Sequence, residues 1–388
     1  MTFRKVLLGN IAREDRVMVK PDTDEAKRRP YLGLEQIESQ TGRITSYDND
    51  SIEGKSTTFA FDNRHVLYGK LRPYLNKVAM PETEGRCSTE IIPLLPVDVD
   101  RDYLALLLRT EALVNAAMSK KTGSRMPRAD MSMLFGFTVT IHTSIEEQRR
   151  IAAALKAQLA EVEKVRAGLE AQHNDVKTLK SAVFQQVFEA IAQTNRKRIG
   201  DIANTTSGTT PSRSNKAYWK PAIHPWVKTG EVAFAPITQT EEAVSAQALK
   251  ECSLSLLPVG TVLVAMYGQG KTRGQSAVLQ VPATTNQACF AILPNEQFEP
   301  QYLQYWLQYS YPDMRALSDS RGGNQSNLNG SMLNDFEMPL IPLEKQRQVV
   351  KMLEQALAEV SRLEEGIQAQ QAEVALLPAR LLAQAFGA

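Results

Sequence analysis

Apolar residues recur every seven positions along two long, otherwise polar stretches of the chain. In the first, Leu155, Val162, Leu169, Val176 and Val183 keep that interval; in the second, Leu353, Val360, Ile367, Val374 and Leu381 do. Val165 and Leu179, and in the second stretch Leu363 and Leu377, fill a second seam position, which Gln158, Gln172 and Gln186 share. Sustained heptads with Glu, Gln, Lys and Arg elsewhere predict coiled-coil helices. Pro378 is expected to end or kink the second helix near its close, because it lacks an N–H and clashes with the preceding turn.

The remaining residues follow a different pattern. Short β-branched and aromatic runs are cut by Gly and Pro, as at 65–68, 90–95, 261–266 and 288–293, and these predict strands. Helical runs at 101–119 and 300–317 follow them. The same order occurs twice. Glu147-Gln148-Arg149 returns as Lys345-Gln346-Arg347, and Leu159-Ala160-Glu161-Val162 as Leu357-Ala358-Glu359-Val360. Pro30-Tyr31 echoes Pro225-Trp226, Ser88-Thr89-Glu90 echoes Thr285-Asn286-Gln287, and Tyr103-Leu104 echoes Tyr302-Leu303. Two copies are too few for a solenoid. The expected fold is α+β, with a globular lobe at 1–145, a long helix at 146–192, a second lobe at 193–343 and a second long helix at 344–388. Helices whose apolar seams meet under this connectivity must run antiparallel, which predicts a pseudo-twofold arrangement with lobes at opposite ends of a rod. About 40 residues at 1.5 Å each make a rod of about 60 Å.

Composition adds little. Of 388 residues, 43% are hydrophobic and 23% charged, which excludes wholesale disorder, and a net charge of +2 points to no partner by bulk electrostatics. Three cysteines, Cys87, Cys252 and Cys289, form neither a disulfide framework nor a zinc pair and fit a reducing cytoplasm. The first fifteen residues hold no apolar run of signal-peptide length, and no segment approaches 18 consecutive apolar residues, so no membrane partner is expected.

Catalytic patterns are missing. Tyr267-Gly268-Gln269-Gly270-Lys271-Thr272 invites a phosphate-loop reading, but position 265 is Ala, and the sequence after it reads as a strand where that motif needs a helix. Asp22 and Glu25, before Lys27, sit in one polar stretch, expected as a solvated loop, where nuclease carboxylates should come from separate strands. His65, His142, His173 and His224 show no metal-ligand spacing, and His173 is expected on solvated helix surface. No Asn-Pro-Pro or Asp-Pro-Pro tripeptide of a base methyltransferase occurs. Neither a catalytic residue nor a metal or other cofactor is expected.

What remains is recognition chemistry. In lobe one a strand opens into a loop bearing Tyr68, Lys70, Arg72, Tyr74 and Lys77, and a second basic loop carries Arg125 and Arg128. Lobe two offers Tyr267, Gln269, Lys271 and Arg273 at the matching place, then Asn324, Gln325 and Asn327. Glycines in these loops let backbone approach closely, Arg and Lys pair with phosphate, and Arg, Asn and Gln can fork onto base edges.

These residues resemble those of the specificity (S) subunits of Type I restriction–modification systems, over essentially the whole chain. The resemblance rests on the alternation of lobe and long helix, on the segment from Tyr68 to Lys77 and Cys87-Ser88-Thr89-Glu90, on Gly208-Thr209-Thr210-Pro211-Ser212-Arg213, Tyr218-Trp219, Pro225-Trp226-Val227 and Asn286-Gln287-Ala288-Cys289, and on both helix starts. It adds Thr210 and Arg213 to the candidate DNA contacts. It implies that each lobe is a target-recognition domain reading half of a bipartite double-stranded DNA sequence, and that the helices space the halves and dock modification (methyltransferase) subunits. Restriction (motor-nuclease) subunits would join the complex, and this chain would have no activity of its own. His142-Thr143-Ser144-Ile145 departs from the proline-bearing approach Pro339-Leu340-Ile341-Pro342, so the entry to the first helix is expected to differ. Two rivals stand beside this: a two-lobed coiled-coil adaptor that joins proteins without reading DNA, and a self-sufficient DNA enzyme, which the missing motifs oppose.

Overall fold

The computed structural model describes residues 2–48, 56–119, 126–191, 194–268, 270–319 and 327–387. They form two compact units: Met1–Ala171 with Gln368–Ala388, and Gln172–Ile367. The long helices run Ile145–Glu189 and Leu343–Phe386, so each unit holds one lobe, the start of one helix and the end of the other.

In the first unit, strands Ala12–Glu14, Ile91–Pro96, Val66–Gly69 and Val78–Ala79 make an antiparallel sheet in that order. A second sheet orders Met18–Val19, Thr58–Phe61, Gly85–Cys87 and Tyr31–Leu32, the last pair parallel. A ribbon of Phe3–Leu7 and Thr138–His142 precedes the first long helix. In the second unit, Thr205–Ser207, Cys289–Ile292, Val262–Ala265 and Ser276–Val278 form the corresponding four-stranded sheet. Glu242–Val244, His224–Val227 and Thr284–Thr285 form the second sheet, again with a parallel pair, and Arg196–Arg198 with Glu337–Pro339 the ribbon. The repeat therefore extends to strand order and direction in the first sheet and to the parallel pair of the second, whose antiparallel strands differ.

The two parallel pairs correct one alignment. Tyr31 faces Arg86 as Trp226 faces Thr284, and the next N–H of each series bonds alike: Ser88 to Leu32 O at 3.1 Å and Asn286 to Val227 O at 3.0 Å. Ser88 thus corresponds to Asn286, one residue on from the alignment expected from sequence.

The expected helical runs each break in two. Arg101–Leu108 and Glu111–Ala117 are parted at Thr110, and Pro300–Tyr309 and Tyr311–Asp319 at Ser310. The polar stretch 21–27 is a turn followed by the short helix Asp24–Arg28, because the Ala26 N–H donates to the Thr23 hydroxyl at 3.2 Å and caps it.

Of the heptad residues, Leu155, Val162, Leu169, Val176, Leu353 and Val360 are buried, and Ile367 and Val374 half-buried. The expected second seam position is different: Val165, Leu179, Leu363 and Leu377 are 36–52% exposed. One stripe is sheltered in each unit, and the flanking position faces outward. His173, expected on solvated surface, is half-buried. Pro378 does not end its helix, which continues through Phe386. Beyond the proline, Leu382 and Phe386 join the lobe-one core with Leu155 and Leu104, and Phe386 meets Tyr103 edge-on at 4.9 Å. Burying side chains of this size offsets an interior proline's cost of about 3 kcal/mol. In the second unit, Phe184 and Phe188 of the first helix and Leu353 of the second pack with Tyr302 and Trp306.

The repeated Gln-Arg pair is a joint between lobe and helix. Gln148 and Gln346 are fully buried. Gln148 Oε1 accepts from the Asp100 N–H at 2.8 Å, at the start of helix Arg101–Leu108, while its Nε2 donates to His142 O at 2.7 Å. Gln346 Oε1 accepts from the Glu299 N–H at 2.8 Å, and its Nε2 donates to Ile341 O at 2.8 Å and Gln297 O at 3.1 Å. Arg149 pairs with Asp100 at 3.4 Å and Arg347 with Glu299 at 3.5 Å. The gripped carbonyl lies six residues before the Gln in the first copy and five in the second, so the entry to the first helix is one residue longer.

Candidate nucleic-acid interface

In both lobes the first basic loop joins equivalent strands. Residues 70–77 connect Val66–Gly69 to Val78–Ala79, and residues 266–275 connect Val262–Ala265 to Ser276–Val278. The second loop returns beside the first. In lobe one, the Arg72 N–H donates to Pro127 O and the Ala129 N–H to Lys70 O, each at 2.7 Å. In lobe two, the Leu328 N–H donates to Met266 O at 3.0 Å, which sets Asn327 close to Tyr267. Two stretches far apart in sequence thus form one surface in each lobe.

Side chains on the lobe-one surface differ in their availability. Lys70 lies 4.0 Å from Glu90, and Arg128 forks onto the same carboxylate with its nearest contact at 2.9 Å. Arg72 takes a left-handed backbone at φ 54° before the turn Pro73–Leu75 and is half-buried; Tyr74 is exposed. Lys77 Nζ donates to Leu34 O at 2.6 Å, and burial lowers its pKa. Tyr68 is not on this surface. It is 4% exposed in the core, where burial raises its phenol pKa, so the expected contact is a packing residue. The β pattern placed it one residue too close to the loop. Arg125 lies outside the described residues.

In lobe two, helix Tyr311–Asp319 pins the loop from below. Tyr311 Oη donates to Lys271 O at 2.6 Å and Arg315 Nη1 to Gly270 O at 2.7 Å, leaving the Lys271 side chain exposed. Gly268 at φ 138° and Gly270 at φ 67° supply backbone that side chains disfavour. Tyr267 and Asn327 are exposed. Arg273, expected as a surface cation, is buried at 7% exposure, because its chain turns inward to begin the next strand. Gln269, Asn324 and Gln325 lie outside the described residues.

The segment 208–213 is held from several sides. A Cβ on Gly208 would stand 1.9 Å from Thr285 O, so only glycine fits. The Thr209 N–H donates to Thr285 O at 2.9 Å, and the Thr210 hydroxyl donates to Gln287. Trp226 Nε1 donates to Thr209 O and Trp219 Nε1 to Ser212 O, both at 3.1 Å. Arg213 projects from this braced loop towards Glu242 and is exposed. Its guanidinium holds the Glu242 carboxyl below the usual carboxylate range. Sequence reasoning missed Glu90 and Glu242 as the partners that orient these cations; Glu90 stood in a quoted segment, but pairing across 38 residues has no local signal.

Among the described residues, no His, Cys, Asp or Glu group is arranged to hold a metal, and no helix is long and apolar enough to cross a membrane.

Comparison with known proteins bears on the whole arrangement. Residues 193–371 match the family described as Type I restriction modification DNA specificity domain. A Type I restriction enzyme MjaIX specificity subunit from Methanocaldococcus jannaschii is 33% identical over 161 residues, 40% of this chain and 36% of that protein, so the chain spans just over a third of this relative's length. A chain from a structure described as the basis of complex assembly and conformational transition of the type I R-M system superposes with TM-score 0.82 at 21% identity, covering 99% of this chain and 97% of that one. The HsdS subunit from Thermoanaerobacter tengcongensis does so with TM-score 0.64 at 21% identity, covering 99% and 96%. The structural likenesses show a common fold.

Proposed function

We propose, for a chain that belongs to the specificity-subunit family of Type I restriction–modification systems, that it is the DNA-reading component of such a complex. Each lobe reads one half of a bipartite double-stranded target. The paired helices space the two half-sites and dock modification subunits. Methylation and cleavage come from partner modification and motor-nuclease subunits, in the cytoplasm, and this chain is non-catalytic. Lys70, Arg72, Tyr74, Lys77, Arg125 and Arg128 serve lobe one; Thr210, Arg213, Tyr267, Gln269, Lys271, Asn324, Gln325 and Asn327 serve lobe two.

The observation that carries this reading is the recurrence of one composite surface. In both lobes a cationic, aromatic loop leaves the same strand of the same sheet, and the second polar loop is hydrogen-bonded against it. Cations there attract phosphates, while Arg, Asn and Gln supply the donor and acceptor pairs that distinguish bases. The test is DNA binding by the complex assembled with its modification subunits, measured across salt concentrations. Affinity should fall steeply and linearly on a log–log plot, as counterion release requires. Binding that is absent, or insensitive to salt, would favour a protein adaptor.

A further inference from the structure

We infer that Arg213 reads a guanine in the half-site of lobe two. This deepens the proposed function and rests on lobe two being a DNA-reading domain. Arg213 is built for orientation. Its guanidinium lies over the Trp219 ring, 3.9 Å from the centroid, with Trp226 at 5.0 Å, and the two indoles meet edge-to-face at 5.1 Å. Glu242 accepts from both terminal nitrogens, Oε2 from Nη1 and Oε1 from Nη2, the latter at 3.3 Å. Both indole N–H groups are spent on the carbonyls of the loop carrying Arg213, so the platform and the loop are tied together.

An arginine has two donor edges. Glu242 takes the Nη1–Nη2 edge. Among the described residues no hydrogen bond occupies the Nε edge, and the side chain is 55% exposed. The stack fixes the plane of that open edge, and the carboxylate fixes its rotation. Two parallel donors in a fixed plane match the O6 and N7 acceptors of guanine in the major groove.

A phosphate contact would not call for this construction. Glu242 cancels much of the charge, and Lys228, 3.4 Å from the same carboxylate, also pairs with Glu241, so the cluster offers little net attraction to the backbone. The arrangement sacrifices charge and gains orientation, which is worth more in reading a base than in holding a phosphate.

The experiment uses the complete complex with its modification subunits. Methylation mapping of the wild type gives the motif. Each guanine of the lobe-two half-site is then replaced in turn by 7-deazaguanine, which lacks the N7 acceptor, and affinity is measured for wild type, R213A and R213K. In the wild type one position should lose about fivefold or more. Both variants should be indifferent to substitution at that position alone, since Lys keeps the charge but not the fork. Each variant is compared with itself on two DNAs, so a smaller folded fraction cancels. The inference is overturned if the half-site contains no guanine, or if the variants retain the wild-type pattern of penalties; either result leaves DNA reading by lobe two intact. Failure of the wild-type complex to prefer its own motif would overturn both.

Discussion

Gln346→Ala should destabilise the protein by about 3 kcal/mol, a large loss for one uncharged residue. The change removes the three hydrogen bonds that join the start of the second long helix to Glu299, Gln297 and Ile341. All three partners are backbone groups, and the site is fully buried. Each buried group left unsatisfied costs about 1–3 kcal/mol, so the gross loss is about 3–9 kcal/mol. The space vacated by the amide can admit a water that restores part of this, which puts the net effect near the lower bound. Gln148→Ala removes two such bonds and should cost about 2 kcal/mol. Arg347→Ala is the control: its ion pair with Glu299 is 3.5 Å long and its side chain is 59% exposed, so it should cost less than about 1 kcal/mol. Urea denaturation followed by circular dichroism measures all three. The reasoning fails if Gln346→Ala falls within about 0.5 kcal/mol of the wild type, or if Arg347→Ala costs more than Gln346→Ala.

Three further outcomes follow from particular contacts. Hydrogen bonds from Arg64 hold the Asp62 carboxyl at about 2, below its usual 3.8, so its contribution is present above pH 4 and is lost as pH falls towards 2; urea midpoints against pH should show a flatter acid limb in Asp62→Asn than in the wild type. Lys271→Ala should leave stability within about 0.5 kcal/mol and reduce the salt slope of DNA binding by about one, whereas Arg273→Ala, at a buried position, should cost at least about 1 kcal/mol of stability; equal thermal shifts for the two would contradict their different burial. Adding one heptad to each long helix, after Gly168 and after Gly366, where neither glycine has a close neighbour, lengthens each by about 10 Å and should widen the gap in the methylated motif by up to about three base pairs; an unchanged gap in an active complex would show that the helices do not set it.

Much of the architecture was legible because it rests on local patterns. The heptads gave both long helices, and β-branched runs between glycines gave the central strands. The recurrence of Gln-Arg at each helix start gave the repeat. What was not legible depended on contacts between distant segments. Whether Val165 or Leu363 is covered is decided by what lies beside the helix, and both stay about half exposed. Pro378 is tolerated because Leu382 and Phe386 reach the core of a lobe more than 200 residues earlier in sequence. At the candidate interface, composition identified both loops but could not tell exposed Lys271 from buried Arg273, two residues apart. Nor could it show that Glu242 and two indoles hold Arg213, since those four residues meet only through the fold.

The central claim, that each lobe reads its own half of the target, is tested most directly by exchanging residues 1–145 for the first lobe of a related specificity subunit and mapping methylated sites across the genome. Each lobe has its own sheets and its own hydrophobic core, so the exchange leaves lobe two folded as before. The account predicts that one half of the methylated motif changes to that of the donor and the other half stays the same. A change in both halves, or a methylation pattern identical to that of cells lacking the chain altogether, would contradict it.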